Sequence, residues 1–84
     1  MIHKTEVDAY NGTLSKLAED LGDLRYDALA TFLQELSQKI KLDSEKDTAR
    51  GRHQLAQQLN NCSEQLSQAS KAIDKAWKIC EPYM

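Results

Sequence analysis

A regular apolar stripe in the second half of the chain constrains the fold more than any other feature. Between about residues 45 and 80, apolar or small side chains recur at alternating intervals of four and three residues. This spacing aligns them along one narrow side of an α-helix, as in coiled coils and helical bundles. The pattern therefore predicts a long helix that packs against another helix. The stripe consists of Leu55, Leu59, Cys62, Leu66, Ala69, Ile73, Ala76 and Cys80, with Trp77 beside its carboxyl-terminal end.

Local signals predict where this helix begins and ends. Ser44 with Asp47 three residues later fits a capping box, which favours a start near residue 45. Glu81 precedes Pro82, and a residue before proline is driven out of the helical region, so the helix should end near residue 80. We therefore expect a turn at about residues 42–44 and a helix at about 45–80.

The first half of the chain carries two apolar stripes instead of one. At ~100° per residue, the second is rotated by about 100° from the first, so one straight helix cannot turn both toward one neighbour. Thr5 with Asp8 fits a capping box, and a helix over about 5–41 is expected, either continuous or broken near Gly22. The stripes are Leu14, Leu17, Leu21 and Leu24, then Leu29, Phe32, Leu33, Leu36 and Ile40.

These elements predict a single all-α domain over residues 1–84, folded as a long antiparallel helical hairpin. A chain of 84 residues buries little of its surface, and each helix of a hairpin covers only one side of the other. The excess apolar surface of the first half favours a homodimer that forms a four-helix bundle. A three-helix arrangement with a break near Gly22 is the alternative, because it leaves less surface uncovered.

The two cysteines are not expected to form an intrachain disulfide. Cys62 and Cys80 lie 18 residues apart on the predicted helix. That separation is roughly 27 Å along a helix, well beyond the reach of a disulfide. Both thiols are expected to be reduced, and self-association is expected to supplement the core.

Charge and composition narrow the function classes. A net charge of −2 gives no strong field, so nucleic acid is an unlikely partner. No apolar run is long enough to span a membrane, no secretory signal is present, and a cytoplasmic location is expected. His3 and His53 lack the spacing of a metal or nucleophile site, so no catalytic, cofactor-binding or metal-binding residue is predicted and the chain is not expected to be an enzyme.

The predicted function is that of a small protein-interaction or adaptor module. Residues 54–70 carry Glu64 as their one charged side chain, and interfaces are depleted in charge. The alternative is a nucleic-acid-binding regulator that uses a basic tip, although no aromatic residue lies there to stack on bases. The basic tip is Lys39, Lys41, Lys46, Arg50 and Arg52. The predicted helix-packing interface is Leu55, Leu59, Cys62, Leu66, Ala69, Ile73 and Trp77 with Leu29, Phe32, Leu33 and Leu36.

Overall fold

The computed structural model describes residues 3–84, so the first two residues of the predicted domain lie outside its description. Over the described range the chain is helical and contains no strand, which confirms the all-α prediction. The elements are α1 (Leu14–Gly22), α2 (Tyr26–Ala49) and α3 (His53–Cys80), followed by one 3-10 turn (Glu81–Tyr83). α2 and α3 form an antiparallel hairpin.

The first predicted helix is broken, and it begins later than expected. Thr13 caps α1, since its side-chain oxygen accepts a hydrogen bond from the Lys16 amide at 3.1 Å, so the start predicted near Thr5 is wrong. α1 ends at Gly22, and residues 23–25 connect it to α2. The break near Gly22 is therefore confirmed, and the two rotated stripes belong to two separate helices.

The turn of the hairpin lies at residues 50–52, so the turn predicted at 42–44 is wrong. Gly51 takes a φ of +77°, a conformation that suits glycine and ends helices. Ser44 does not cap a helix, because its hydroxyl is buried and donates to the Ala56 carbonyl at 2.8 Å. With this hydroxyl satisfied, α2 continues as far as Ala49. The predicted end of the second helix near residue 80 is correct.

Small residues form the contact between α2 and α3. Each helix contributes three of them at intervals of seven residues, and each of the six is 4–7% exposed. Small side chains let two helix backbones approach closely, in the way described for other helix pairs. We call these residues the small-residue seam, whose facing pairs are Ala30 with Ser70, Ser37 with Ser63, and Ser44 with Ala56.

The serine hydroxyls of the seam bond to the opposite backbone. Ser37 donates to the Ser63 carbonyl at 2.7 Å, and Ser63 donates back to the Ser37 carbonyl at 2.9 Å. Ser70 donates to the Ala30 carbonyl at 2.6 Å. A buried hydroxyl without a partner destabilises a fold, and here each one finds a carbonyl across the seam. The seam therefore fixes both the distance and the register of the two helices.

The molecule is elongated and has little enclosed core. Its radius of gyration is 15.2 Å, against about 12 Å for a compact domain of this length. Its accessible surface is 6755 Å², against about 5,000 Å² for a compact monomer of this mass. Among the described residues, Ala30 and Ala56 are the only buried hydrophobic ones. The larger apolar side chains therefore all remain partly open to solvent.

A bulky side chain within the seam should separate the two helices. We expect Ser63→Leu to lower the free energy of unfolding by about 1–3 kcal/mol, because the extra carbon atoms have no space. Ser63→Ala should cost about 1 kcal/mol through the lost hydrogen bond. Urea denaturation followed by circular dichroism measures both. Gln65→Leu places the same side chain at an exposed position of α3 and should be nearly neutral; equal losses for the two leucine variants would contradict the seam.

The glycine at the turn should be sensitive to substitution. Gly51→Ala should destabilise the hairpin by about 1 kcal/mol, because a Cβ is strained at positive φ even where space is open. Gly22→Ala is the matched control, since Gly22 ends α1 with helical φ and open space around it. The control should leave the melting temperature unchanged or raise it. A loss of stability in Gly22→Ala as large as in Gly51→Ala would contradict this assignment of the turn.

Candidate interaction face

The hairpin carries a continuous apolar surface on one flank. Measured from the small-residue seam at ~100° per residue, most of the large apolar side chains of α2 and α3 turn to the same side of each helix. Trp77, seven residues after Ser70, continues the line of the seam at its terminal end, and Leu42 lies on the opposite flank. In an antiparallel pair those two sides lie on one flank of the hairpin. We call this surface the apolar face. It consists of Leu29, Phe32, Leu33, Leu36 and Ile40 of α2 with Leu55, Leu59, Cys62, Leu66, Ala69, Ile73 and Ala76 of α3, and Trp77 of α3 lies at its terminal edge next to the seam.

The opposite flank is mostly polar, although Leu42 lies on it. Two shallow grooves of about 410 and 510 Å³ run along it between the helices. In the first groove Lys41 donates to the side-chain oxygen of Asn60, and Glu64 accepts from the same Asn60 amide at 3.3 Å. In the second groove Lys78 pairs with Asp74 at 3.2 Å. The hairpin is therefore amphipathic as a whole, with one flank suited to water and the other to burial.

The structure places the stripe of α3 beside the contact with α2 instead of within it. Leu55 is 47% exposed, and Cys62 and Ala69 are also exposed, whereas Leu66 and Ile73 are half-buried. The stripe was predicted to pack against the first half of the same chain, but its residues do not make the closest contact between the two helices. The seam of Ala and Ser residues occupies the contact, and it rotates the leucines to the flank.

All eleven residues of the predicted helix-packing interface belong to this face. Leu29, Leu33 and Leu36 of α2 are half-buried, and Phe32 at the outer edge is 36% exposed. The residues of the predicted interface therefore lie together on one surface, beside the closest contact of α2 with α3 and not within it. That the face serves as an interface stays a prediction.

Arg25 contacts the apolar face at its terminal end, which is the end of the hairpin opposite the turn. The guanidinium of Arg25 lies over the Trp77 ring at 5.0 Å from the ring centroid, a cation–π contact between the α1–α2 connection and α3. Arg25 also forms two hydrogen bonds of 2.7 Å to the Asp27 carboxylate. These bonds lower the pKa of Asp27 below its ordinary value, and the Ala28 amide, which donates to the same carboxylate, adds to the effect. The sequence pattern gave no signal for this contact.

The basic tip does not form a single cluster in the structure. Lys39 pairs with Asp43 on the same helix, which lowers the pKa of Asp43 through their hydrogen bond. Lys41 contacts Asn60 in the polar groove. Arg52 lies 3.5 Å from the Asp47 carboxylate. Only Lys46, Arg50 and Arg52 adjoin the turn at residues 50–52, so no observation favours a phosphate-binding surface there.

Within residues 3–84, no group of three or more His, Cys, Asp and Glu side chains could hold a metal ion. Cys62 and Cys80 are free thiols, as expected. No helix in the same range has the length and apolar character needed to cross a membrane. Comparison of the chain with protein-family models, with curated proteins and with solved structures found no match. The geometry of the apolar face is therefore what bears on function.

Removal of Arg25 should raise the pKa of Asp27, because it removes the largest cause of the lowered value. The folded pKa of Asp27 lies below its unfolded value, so the carboxylate stabilises the fold above the unfolded pKa, and this contribution is lost as pH falls through the folded one. We expect Arg25→Ala to raise the pKa of Asp27, as measured by NMR titration of its carboxyl group. The unmodified chain and Arg25→Ala should also differ in melting temperature. The part of this difference that is due to the ion pair should become smaller as pH falls through the folded pKa of Asp27.

Lys39→Ala is the control for this titration. It removes the hydrogen bond that lowers the pKa of Asp43 and should leave the pKa of Asp27 unchanged. Because Trp77 is the single tryptophan, its fluorescence reports directly on the loss of the Arg25 contact. An unchanged pKa of Asp27 in Arg25→Ala would show that the ion pair is absent in solution.

Proposed function

We propose that the protein is a non-enzymatic interaction module that homodimerises through the apolar face into a four-helix bundle. The observation that carries this proposal is the exposure of the face. Its leucines, Phe32, Ile73 and Trp77 are all at least partly open to solvent, while the buried hydrophobic residues of the described chain are two alanines. A contiguous apolar surface of this kind marks a binding site.

The amount of surface agrees with an interface of ordinary size. The accessible surface exceeds that of a compact monomer of this mass by about a third. Two helices of 24 and 28 residues side by side offer a footprint on the order of 700 Å². Stable protein interfaces bury about 800 Å² per partner. One partner that covers the whole face would therefore remove a little under half of this excess, which is about 1,700 Å².

A second copy of the chain fits the face because of its shape and composition. On α3 the flank with the face carries no charged side chain between Leu55 and Trp77, and the cores of interfaces are depleted in charge. On α2 the ion pair of Lys39 and Asp43 adjoins the face on the side of the turn. The exposed centre of the face holds Cys62 and Ala69, which are small enough for another pair of helices to approach. Two hairpins that meet face to face bury equivalent surfaces, as expected of a twofold interface. The polar flanks then form the outside of the bundle, where other proteins can bind.

Charge placed at the centre of the face should abolish the dimer. Cys62 is exposed in the monomer, so Cys62→Asp should leave the hairpin folded, yet bury an unpaired carboxylate if a second copy packs there. Analytical ultracentrifugation at micromolar concentration should give twice 9.5 kDa for the unmodified chain and 9.5 kDa for the variant. Circular dichroism should show unchanged helix content in the variant.

Gln68→Asp is the matched control, because it adds the same side chain to an exposed position of α3 outside the apolar face. It should sediment as a dimer. Leu66→Asp, at a half-buried position of the face, should dissociate the dimer and also lower stability. A mass of 9.5 kDa for the unmodified chain, with a cooperative thermal transition, would refute the homodimer and leave a different protein as the partner of the face.

A further inference from the structure

α1 carries a second apolar surface that is only partly covered. Leu14, Leu17 and Leu21 lie along one side of this helix, and Leu24 follows in the connection. No residue of α1 is fully buried: Leu14 is 61% exposed, whereas Leu17 and Leu21 are half-buried. Val7 and Tyr10 of the preceding segment line a cavity of about 350 Å³ together with Leu14 and Leu17. The tight backbone approach seen between α2 and α3 is not repeated between α1 and either of them. The stripe is therefore covered in part, and no other helix packs closely against it.

The chain path brings α1 back along the hairpin. Residues 23–25 form a connection of three residues, a length typical of antiparallel helix pairs. The connection contacts the terminal end of the face, because the Arg25 guanidinium lies over the Trp77 ring at 5.0 Å from its centroid. α1 is thus tethered beside the edge of the face.

We propose that α1 is a strap that closes over the terminal half of the apolar face in its own chain and competes there with the second copy. This inference rests on the proposed homodimer. Closure brings the leucine stripe of α1 onto Leu29, Leu33 and Leu36, and each surface removes the other from water. At about 25 cal/mol per Å² of buried apolar area, mutual coverage of the two stripes favours the closed form.

The length of α1 limits how much of the face it covers. Nine helical residues span about 14 Å, which reaches from the level of Leu29 to that of Leu36. The half of the face next to the turn, which includes Leu55, Leu59 and Cys62, remains open in the closed form. A second copy can therefore make first contact at the open half and then displace the strap. The strap therefore weakens dimerisation but does not prevent it.

A charge within the α1 stripe tests the strap in the full chain. Leu17→Asp should prevent closure, whether it only repels the face or also unfolds α1, and so should tighten the dimer. If the strap is closed about nine-tenths of the time in each copy, opening it lowers the dimer dissociation constant about 100-fold. Sedimentation equilibrium over a concentration series measures this change. Ser15→Asp, on another side of α1, should keep the dissociation constant of the unmodified chain.

The outcomes separate this inference from the homodimer itself. A dimer whose dissociation constant is unchanged or raised by Leu17→Asp overturns the strap and leaves the homodimer intact. Absence of a dimer in both the unmodified chain and Leu17→Asp overturns both. A second measurement uses the Cys62→Asp chain as a folded monomer: nuclear Overhauser contacts between the Leu17 methyl groups and Leu33 or Leu36 are expected, and their absence refutes closure within one chain.

Discussion

The reciprocal hydrogen bonds between serine hydroxyls and the facing backbone carbonyls determine the rest of this structure. Ser37 and Ser63 each donate to the other's carbonyl, and toward the two ends Ser44 and Ser70 each donate a single hydrogen bond to the carbonyl of the facing alanine. Only small side chains permit that distance between helices, so no leucine fits into the contact. The leucines are displaced to one flank, and the hairpin is held together by a surface that contributes little hydrophobic free energy. The exposed apolar face is therefore a direct consequence of the seam.

The sequence predicted the features that depend on hydrophobic periodicity and on proline. The stripe of α3 identified a long helix and its end at Cys80, and the rotation between the two early stripes anticipated the break at residues 23–25. The turn was misplaced because Ser44 and Asp47 have the composition of a helix cap. A serine hydroxyl can form its hydrogen bond either as a helix cap or with a group on another helix. Ser44 does the second, since it donates to the Ala56 carbonyl across the seam. Gly51, which takes positive φ at the real turn, was visible in the sequence but less specific.

The neighbour of the apolar stripe could not be predicted from polarity alone. A hydropathy pattern counts serine as polar and assigns it to the solvent side. The seven-residue spacing of Ser63 and Ser70 therefore did not indicate a contact between helices. The same interval separates Ser37 from Ser44 in the first half. What decides the orientation is whether each hydroxyl finds an acceptor on the opposite helix, and this depends on a register that a single sequence does not reveal. The residues that make up the face could thus be predicted, whereas their position beside the contact of α2 with α3 could not.

A hairpin built on this seam links stability to association. Burial of two alanines and four serines offsets little of the conformational entropy lost by more than 50 helical residues of α2 and α3, because hydrophobic free energy scales with buried apolar area. Whatever covers the apolar face binds the folded form and not the unfolded one, and it raises the apparent stability by mass action. If the cover is a second copy, the melting temperature rises with protein concentration. If it is α1, stability is independent of concentration and is supplied within the chain. The same leucines then serve folding and recognition, and the balance between the two covers sets how much of the protein is available to a partner.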